Sequence, residues 1–432
     1  MNIYSYQEAF GASDKTSAAM KKALKEWFSL YFQQEKSSTS DPCQRIAYTV
    51  VNKITKAVFS EYAASCQDPL AGAWLRSLEN HKQEAMQLAL TGGECYLKPC
   101  PTGTGFSYTL IPRDHVLIFA RDSHGEPTDV GLAERSTLGK HYYTLLERRS
   151  VDAGILTITY RLYRSLNGEN LGNEVELQEH PKYRNLVKRW KSDVGSVGLV
   201  RMKTPMVNCV DGSQDAVAVF APATQLIHAI NENEAQLSGE FQRGQSRVFL
   251  SRDLLDREGE LTDNLFVGLD EDPQTVGMTI FAPQLRQESF LARKQEYLRN
   301  VESVVGLKRG MLSEVNMDER TATEIAASQA DFSLTVMDFQ AMWEDAVRKT
   351  LQLCAQLARI YAMGSCRDAL VRFDWGNGVL YDEEKTWQGY VQMVKDGLIA
   401  PEIALGWRFN MPAETAEQRR AIRQKYMPGV NM

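Results

Sequence analysis

Between residues 325 and 360, apolar side chains recur at helical spacing without a break: Ile325, Phe332, Val336, Phe339, Trp343, Leu353, Leu357 and Ile360. That period marks one face of a helix. The run opens on Thr321-Ala322-Thr323-Glu324, which fits a capping box in which the Thr hydroxyl and the Glu carboxyl reciprocally satisfy free amides. It stops at Met363-Gly364. The pattern predicts one helix of about 40 residues, ~60 Å long at ~1.5 Å per residue. Globular helices commonly run ~8 to 20 residues, and few enzymes need such a rod.

The rest of the chain divides by its period. Met20, Leu24, Trp27, Phe28 and Tyr31 mark one helix and Ile46, Val50, Ile54, Val58 and Phe59 a second, with a Ser/Thr-rich loop over 34–42 between them. A third helix is predicted over 71–90, stopped by Gly92-Gly93. Over 94–177 the period falls to two, as in Tyr142, Thr144, Leu146 and in Leu156, Ile158, Tyr160, Leu162, which predicts a mostly antiparallel sheet. Residues 180–191 carry Lys182, Arg184, Lys188, Arg189 and Lys191 and read as a solvated helix or loop face.

A further helix is expected from Pro222, since Pro suits a first turn. Leu226, Ile230, Leu237 and Phe241 give it one narrow apolar seam as far as Gly244. A returning helix over 283–305 places Phe290, Leu291, Tyr297, Leu298, Val301, Val304 and Val305 on one side. Between the two lies an acidic stretch, 252–273. Its eight carboxylates (Asp253, Asp256, Glu258, Glu260, Asp263, Asp270, Glu271, Asp272) face two arginines (Arg252, Arg257), a net −6 that equals the excess of the whole chain. Strand-like pieces at 247–250 and 276–281 flank it, so it reads as a small α/β insertion. Gly306 and Gly310 break the returning helix and leave a loop to Arg320. A strand over 370–375 and helices over 383–395 and 413–426 complete an α+β chain.

At 432 residues two to four folded units are expected, and 43% apolar with 24% charged residues excludes a largely disordered chain. No apolar run approaches the ~20 residues of a membrane span. The start MNIYSYQEAFGASDK lacks the marks of a secretory leader. Cys43, Cys66, Cys95, Cys100, Cys209, Cys354 and Cys366 contain no CxxC pair and read as reduced, mostly structural thiols. The net −6 argues against a protein that grips nucleic acid through a basic surface. It leaves room for one past which nucleic acid slides.

Chemistry is harder to find. No P-loop, GxGxxG after a strand, HExxH, EF-hand loop or GxSxG elbow occurs. His81, His115, His124, His141, His180 and His228 are scattered, with no pair at metal-binding helical spacing. Cys95 and Cys100 have no accompanying ligands, and the acidic stretch is irregularly spaced for a cation. No catalytic residue, metal or cofactor is therefore expected.

The order of parts is what the chain does carry. Together with TGGECYLKP at 91–99, KHYYTLLE at 140–147 followed by LTITYRLYRS, KTPMVN at 203–208, and GLKRGMLSEVNMDERTATEI at 306–325, it resembles the portal proteins of long-tailed bacteriophages over roughly 85–400. The last stretch is the most specific, joining a helix-ending glycine, a loop and the capped rod. The resemblance implies a wing over 1–220 and 321–380, stem helices over 221–245 and 283–306, a clip over 246–282, a tunnel loop over 307–320, and a short crown over 381–432. It further implies a homo-oligomeric ring, usually a dodecamer, at one capsid vertex of the virion, assembled in the host cytoplasm. Double-stranded DNA would pass through it during packaging and ejection. Terminase, a head-completion adaptor, capsid and scaffolding proteins would be its partners, with no membrane involved.

By position, the loop residues near DNA would be Lys308, Arg309, Met311, Leu312, Ser313, Glu314, Val315, Asn316 and Met317. The lumen cations would be Arg293, Lys294 and Arg299. The clip would offer its partner Asp253, Asp256, Arg257, Glu258, Glu260, Asp270, Glu271 and Asp272, where charge sets docking rate and orientation more than affinity. Twelve copies at −6 would carry a formal −72, so phosphates would meet weak or repulsive walls. Two other readings stand beside this one: a soluble α+β metal-assisted hydrolase using the acidic cluster, and another minor capsid protein.

Overall fold

The computed structural model describes residues 3–32, 42–103, 105–244, 247–251, 266–269, 279–281, 284–314, 322–366, 369–376, 383–409 and 411–427. Two compact units emerge, one made of residues 1–58 and 65–371 and the other of 59–64 and 372–432.

The larger unit begins with helices. After the short α1 (Gln7–Phe10), α2 (Ala18–Phe32) and α3 (Ile46–Val58) follow the predicted spacing, burying Met20, Leu24, Trp27 and Phe28 on one and Val50, Ile54 and Val58 on the other. The single helix expected over 71–90 is two, α4 (Pro69–Glu79) and α5 (Lys82–Gly92). The apolar period explains the break: Ala71, Trp74, Leu75 and Leu78 are buried, and burial resumes only at Ala85 and Met86. Nothing apolar bridges Asn80 and His81 to hold one straight axis. Asp68 caps α4 by accepting from the Leu70 and Ala71 amides, with Pro69 in its first turn.

β2 (Glu94–Thr102) and β3 (Gly105–Pro112) form an antiparallel hairpin extended by β10 (Val200–Lys203). β4 (Val116–Arg121), β5 (Pro127–Leu138), β6 (His141–Asp152), β7 (Ile155–Ser165) and β8 (Asn173–Val175) run in that order in a second antiparallel sheet. β9 (Arg189–Ser192) also joins this sheet, pairing Ile158 with Trp190. The basic 180–191 segment keeps Lys182, Arg184, Lys188, Arg189 and Lys191 exposed, as expected of a solvated face, but its end is a strand rather than helix or loop. The edge of β7 supplies the reason, offering Leu156–Thr159 as pairing partners, and the Trp190 indole also stacks on Tyr361 with ring centroids 6.2 Å apart.

α6 (Thr224–Arg243) and α7 (Gln287–Val305) bracket a three-stranded sheet, in which β11 (Arg247–Ser251) pairs parallel to β12 (Phe266–Leu269) and antiparallel to β13 (Thr279–Phe281). The expected strands are there, with β12 added; the rest of the insertion lies outside the described residues. The rod is α8 (Ala322–Ile360), 39 residues long, packed on α3, α4, β2 and β10. It buries Phe332, Val336, Phe339, Trp343, Val347 and Cys354. Thr321 lies outside the described residues.

Two buried ionic clusters lock the sheets. Glu94, fully buried, receives Arg113 Nε at 2.7 Å, Arg201 Nε and the Tyr96 hydroxyl at 3.0 Å. Arg113 also reaches Asp215, which pairs with Arg121. Burial opposes ionisation of Glu94, but Arg201 and Arg113 outweigh it and hold its carboxyl below the usual range. Burial likewise pushes Glu147 up, yet Arg149 and Lys98 bring its carboxyl down to about 2. Next to Glu94, Gly93 has φ +80°, and a Cβ there would lie 2.4 Å from the carbonyl carbon of Ala216. Only glycine fits this approach.

The smaller unit holds the aromatic cluster of Phe59, Tyr62, Phe373 and Trp375, with Tyr62 and Trp375 centroids 4.6 Å apart. Residues 63–64 and 372–374 of this unit belong to strands β1 (Ala63–Cys66) and β14 (Val371–Asp374), which pair. Helices α9 (Glu383–Lys395), α10 (Pro401–Arg408) and α11 (Ala416–Tyr426) follow. Sequence periodicity misses α10, whose eight residues give too few turns for a repeat to appear. α11 begins at 416 rather than 413 because Thr415 and Gln418 form a reciprocal capping box.

Candidate functional site

The elements to which the resemblance assigns DNA contact are α6, α7 and the loop between α7 and α8. α7 returns antiparallel along α6. Arg286 grips Glu240 in a two-pronged pair, its Nη2 2.7 Å from Oε2 and its Nε 3.1 Å from Oε1. Further along, the Asn233 amide donates to the Phe290 carbonyl at 3.1 Å, and Lys294 Nζ lies 2.9 Å from Glu234. Apolar burial completes the pair through Ile227, Ile230 and Leu237 on α6 and Leu298, Val301 and Val305 on α7. Each such side chain contributes ~1.5–3 kcal/mol when fully buried.

The seam departs from its sequence expectation in composition. Ile227 takes the buried place expected for Leu226, which is half-buried, and Phe241 is 42% exposed. On α7, Leu291 and Val304 are 43% and 48% exposed. The pair therefore buries one face between its helices and leaves apolar side chains outside it.

The predicted cations fall in different settings. Lys294 points between the helices, bonded to Glu234 and, at 3.0 Å, to Gln44 Oε1. Arg293 is exposed on the other side, with Nε donating to the Tyr297 hydroxyl at 2.9 Å and its guanidinium over that ring. Arg299 is half-buried, 3.5 Å from Glu296. Of the loop residues, Lys308, Met311 and Leu312 are half-buried, Arg309 and Glu314 exposed and Ser313 buried. Val315, Asn316 and Met317 lie outside the described residues, as do Asp253, Asp256, Arg257, Glu258, Glu260, Asp270, Glu271 and Asp272.

The most constrained group at this corner is one that the sequence reading passed over. Glu302, 1% exposed, stands in the last turn of α7. Its Oε1 accepts the backbone amides of Gly310 at 3.1 Å, Ser313 at 2.8 Å and Leu312, and its Oε2 accepts the Ser313 hydroxyl at 2.8 Å. Gly306 and Gly310, at φ +78° and +91°, turn the chain so that these amides converge. Gln295 extends the hold by accepting the Glu314 amide at 2.8 Å. A signal was available: an acid in a helix's C-terminal turn opposes the macrodipole and must find donors elsewhere.

Among the described residues no group of His, Cys, Asp and Glu is arranged to hold a metal ion, and no helix is long and apolar enough to cross a membrane. No curated protein matches the chain. A family model described as phage portal protein, SPP1 Gp6-like, matches residues 169–428, a span that takes in α6, α7, the loop, the rod and the C-terminal helices. That match covers more than half of the sequence, and the chain belongs to the phage portal protein family.

Proposed function

We propose that the protein forms the portal ring at one capsid vertex, a channel for double-stranded DNA in packaging and ejection and a docking platform for terminase and head-completion proteins. Its role is structural, with the work of translocation left to a separate ATP-driven motor. The observation that carries this reading is the antiparallel pair α6 and α7, placed within the family match between the β11–β13 insertion and the rod. Exposed Phe241, Leu291 and Val304 on that pair suit burial against a second copy.

In this assignment α6 and α7 are the stem and the insertion between them is the clip. The loop from 307 is the tunnel loop, and residues 1–220 with α8 form the wing. Arg293 and Arg299 are then lumen candidates, with Lys308 and Arg309 at the loop. Lys294 serves to join the two stem helices. The acidic stretch over 252–273 presents the clip to the motor or to the adaptor.

Negative-stain microscopy with light-scattering mass tests the proposal. The expected result is rings of about 0.6 MDa, twelve copies of 48.8 kDa, with a central hole. A particle of one or two chains that stays so across protein concentration and salt would overturn it.

A further inference from the structure

Loop residues 310, 312 and 313 aim their backbone N–H groups at one point, the geometry of a nest that binds an anion. Here the anion is the carboxylate of Glu302, supplied by the stem helix itself. Among the bonds described, its donors are these three amides and the Ser313 hydroxyl, with no cation among them. The Leu307 amide adds a bond of 2.8 Å to the Glu302 main-chain carbonyl. The first eight residues of the loop are therefore folded around one side chain of α7.

We propose that Glu302 is the positioning residue of the channel loop, fixing where and in what direction Lys308, Arg309 and the residues after them meet DNA and coupling any displacement of α7 directly to the loop. The proposal rests on the portal reading for its function, and on geometry alone for the contact. A carboxylate suits this task because bonds to a charged acceptor are about twice as strong as neutral ones. A glutamine at the same place would turn one acceptor into a donor facing other donors.

Full-length rings carrying Glu302→Gln, Glu302→Asp or Ser313→Ala test it by hydrogen exchange and by terminase-driven packaging of linear DNA. In Glu302→Gln the amides of 310, 312 and 313 are expected to exchange at least ~10-fold faster, while those of 290–300 keep their protection. Packaged DNA per ring is expected to fall several-fold at unchanged ring mass and at a temperature where wild-type and variant rings both stay folded, a loss that a purely structural role does not produce. Glu302→Asp, which keeps the charge, should recover part of both. Ser313→Ala, which leaves the carboxylate in place, should give a smaller change in the same direction and serves if Glu302→Gln does not fold. Unchanged exchange over 306–314 would overturn the contact, and unchanged packaging beside faster exchange would overturn the positioning role. A wild-type chain without rings would instead remove the portal reading, and the exchange experiment still decides the contact.

Discussion

Glu94 and Glu302 are both sealed from water, at 0% and 1% exposure, yet they are satisfied in opposite ways. Glu94 sits among guanidinium groups brought from Arg113 and Arg201, which are distant in sequence and fixed on separate elements. Glu302 sits among main-chain amides only eight to eleven residues ahead of it. The first arrangement joins separate elements through opposite charges. The second imposes a backbone conformation on a loop and adds no charge of opposite sign. Buried carboxylates therefore do different work in the two regions, one fastening elements of a scaffold and the other shaping the start of a loop.

The largest expected effect tests whether that contrast is energetic as well as geometric. Glu94→Gln leaves Arg113 and Arg201 buried against a neutral amide, which should cost about 3–5 kcal/mol in chemical unfolding at fixed protein concentration. Glu302→Gln should cost about 1–3 kcal/mol in the same assay, the range for bonds to a charged group. Equal losses would break the comparison.

Acid sharpens it next. Glu147 lies well below its ordinary value of 4.5, at about 2, so its contribution is fully present above pH 4.5 and is lost as pH falls through about 2. Roughly 3 kcal/mol is at stake, and Glu147→Gln should flatten stability against pH over that window. An unflattened profile would show that the Arg149 and Lys98 pairing does not couple to unfolding. The smallest effect belongs to the α6–α7 pair. Lys294→Met breaks a pair whose side chains are 23% and 25% exposed, and a loss of ~1 kcal/mol or less is expected in thermal unfolding. A loss as large as that of Glu94→Gln would place a rigid ionic weld between α6 and α7 too.

Local patterns carried much of the architecture. α2, α3 and the rod follow apolar spacing, and the Gly306 and Gly310 breaks mark the loop, because each depends on residues a few positions apart. Short elements escaped: α10 has two turns of helix, and β9 is made by its partners on β7 rather than by its own period. The seam of α6 illustrates a finer miss, since Leu226 and Ile227 are equally apolar and only packing chooses between them.

By itself the sequence determined the mixed class, the length of the rod, the two helices around an acidic insertion, and the place of the loop. Hydrophobic period, proline and glycine act over a few residues and can be read without a fold. The tertiary structure decided that Gly93 must admit Ala216, that Arg113 and Arg201 meet on Glu94, that Lys294 turns inward, and that Glu302 gathers the loop. Those contacts have no period to reveal them. They exist because folding removes charged and polar groups from water, and each then has to find its partner within the fold.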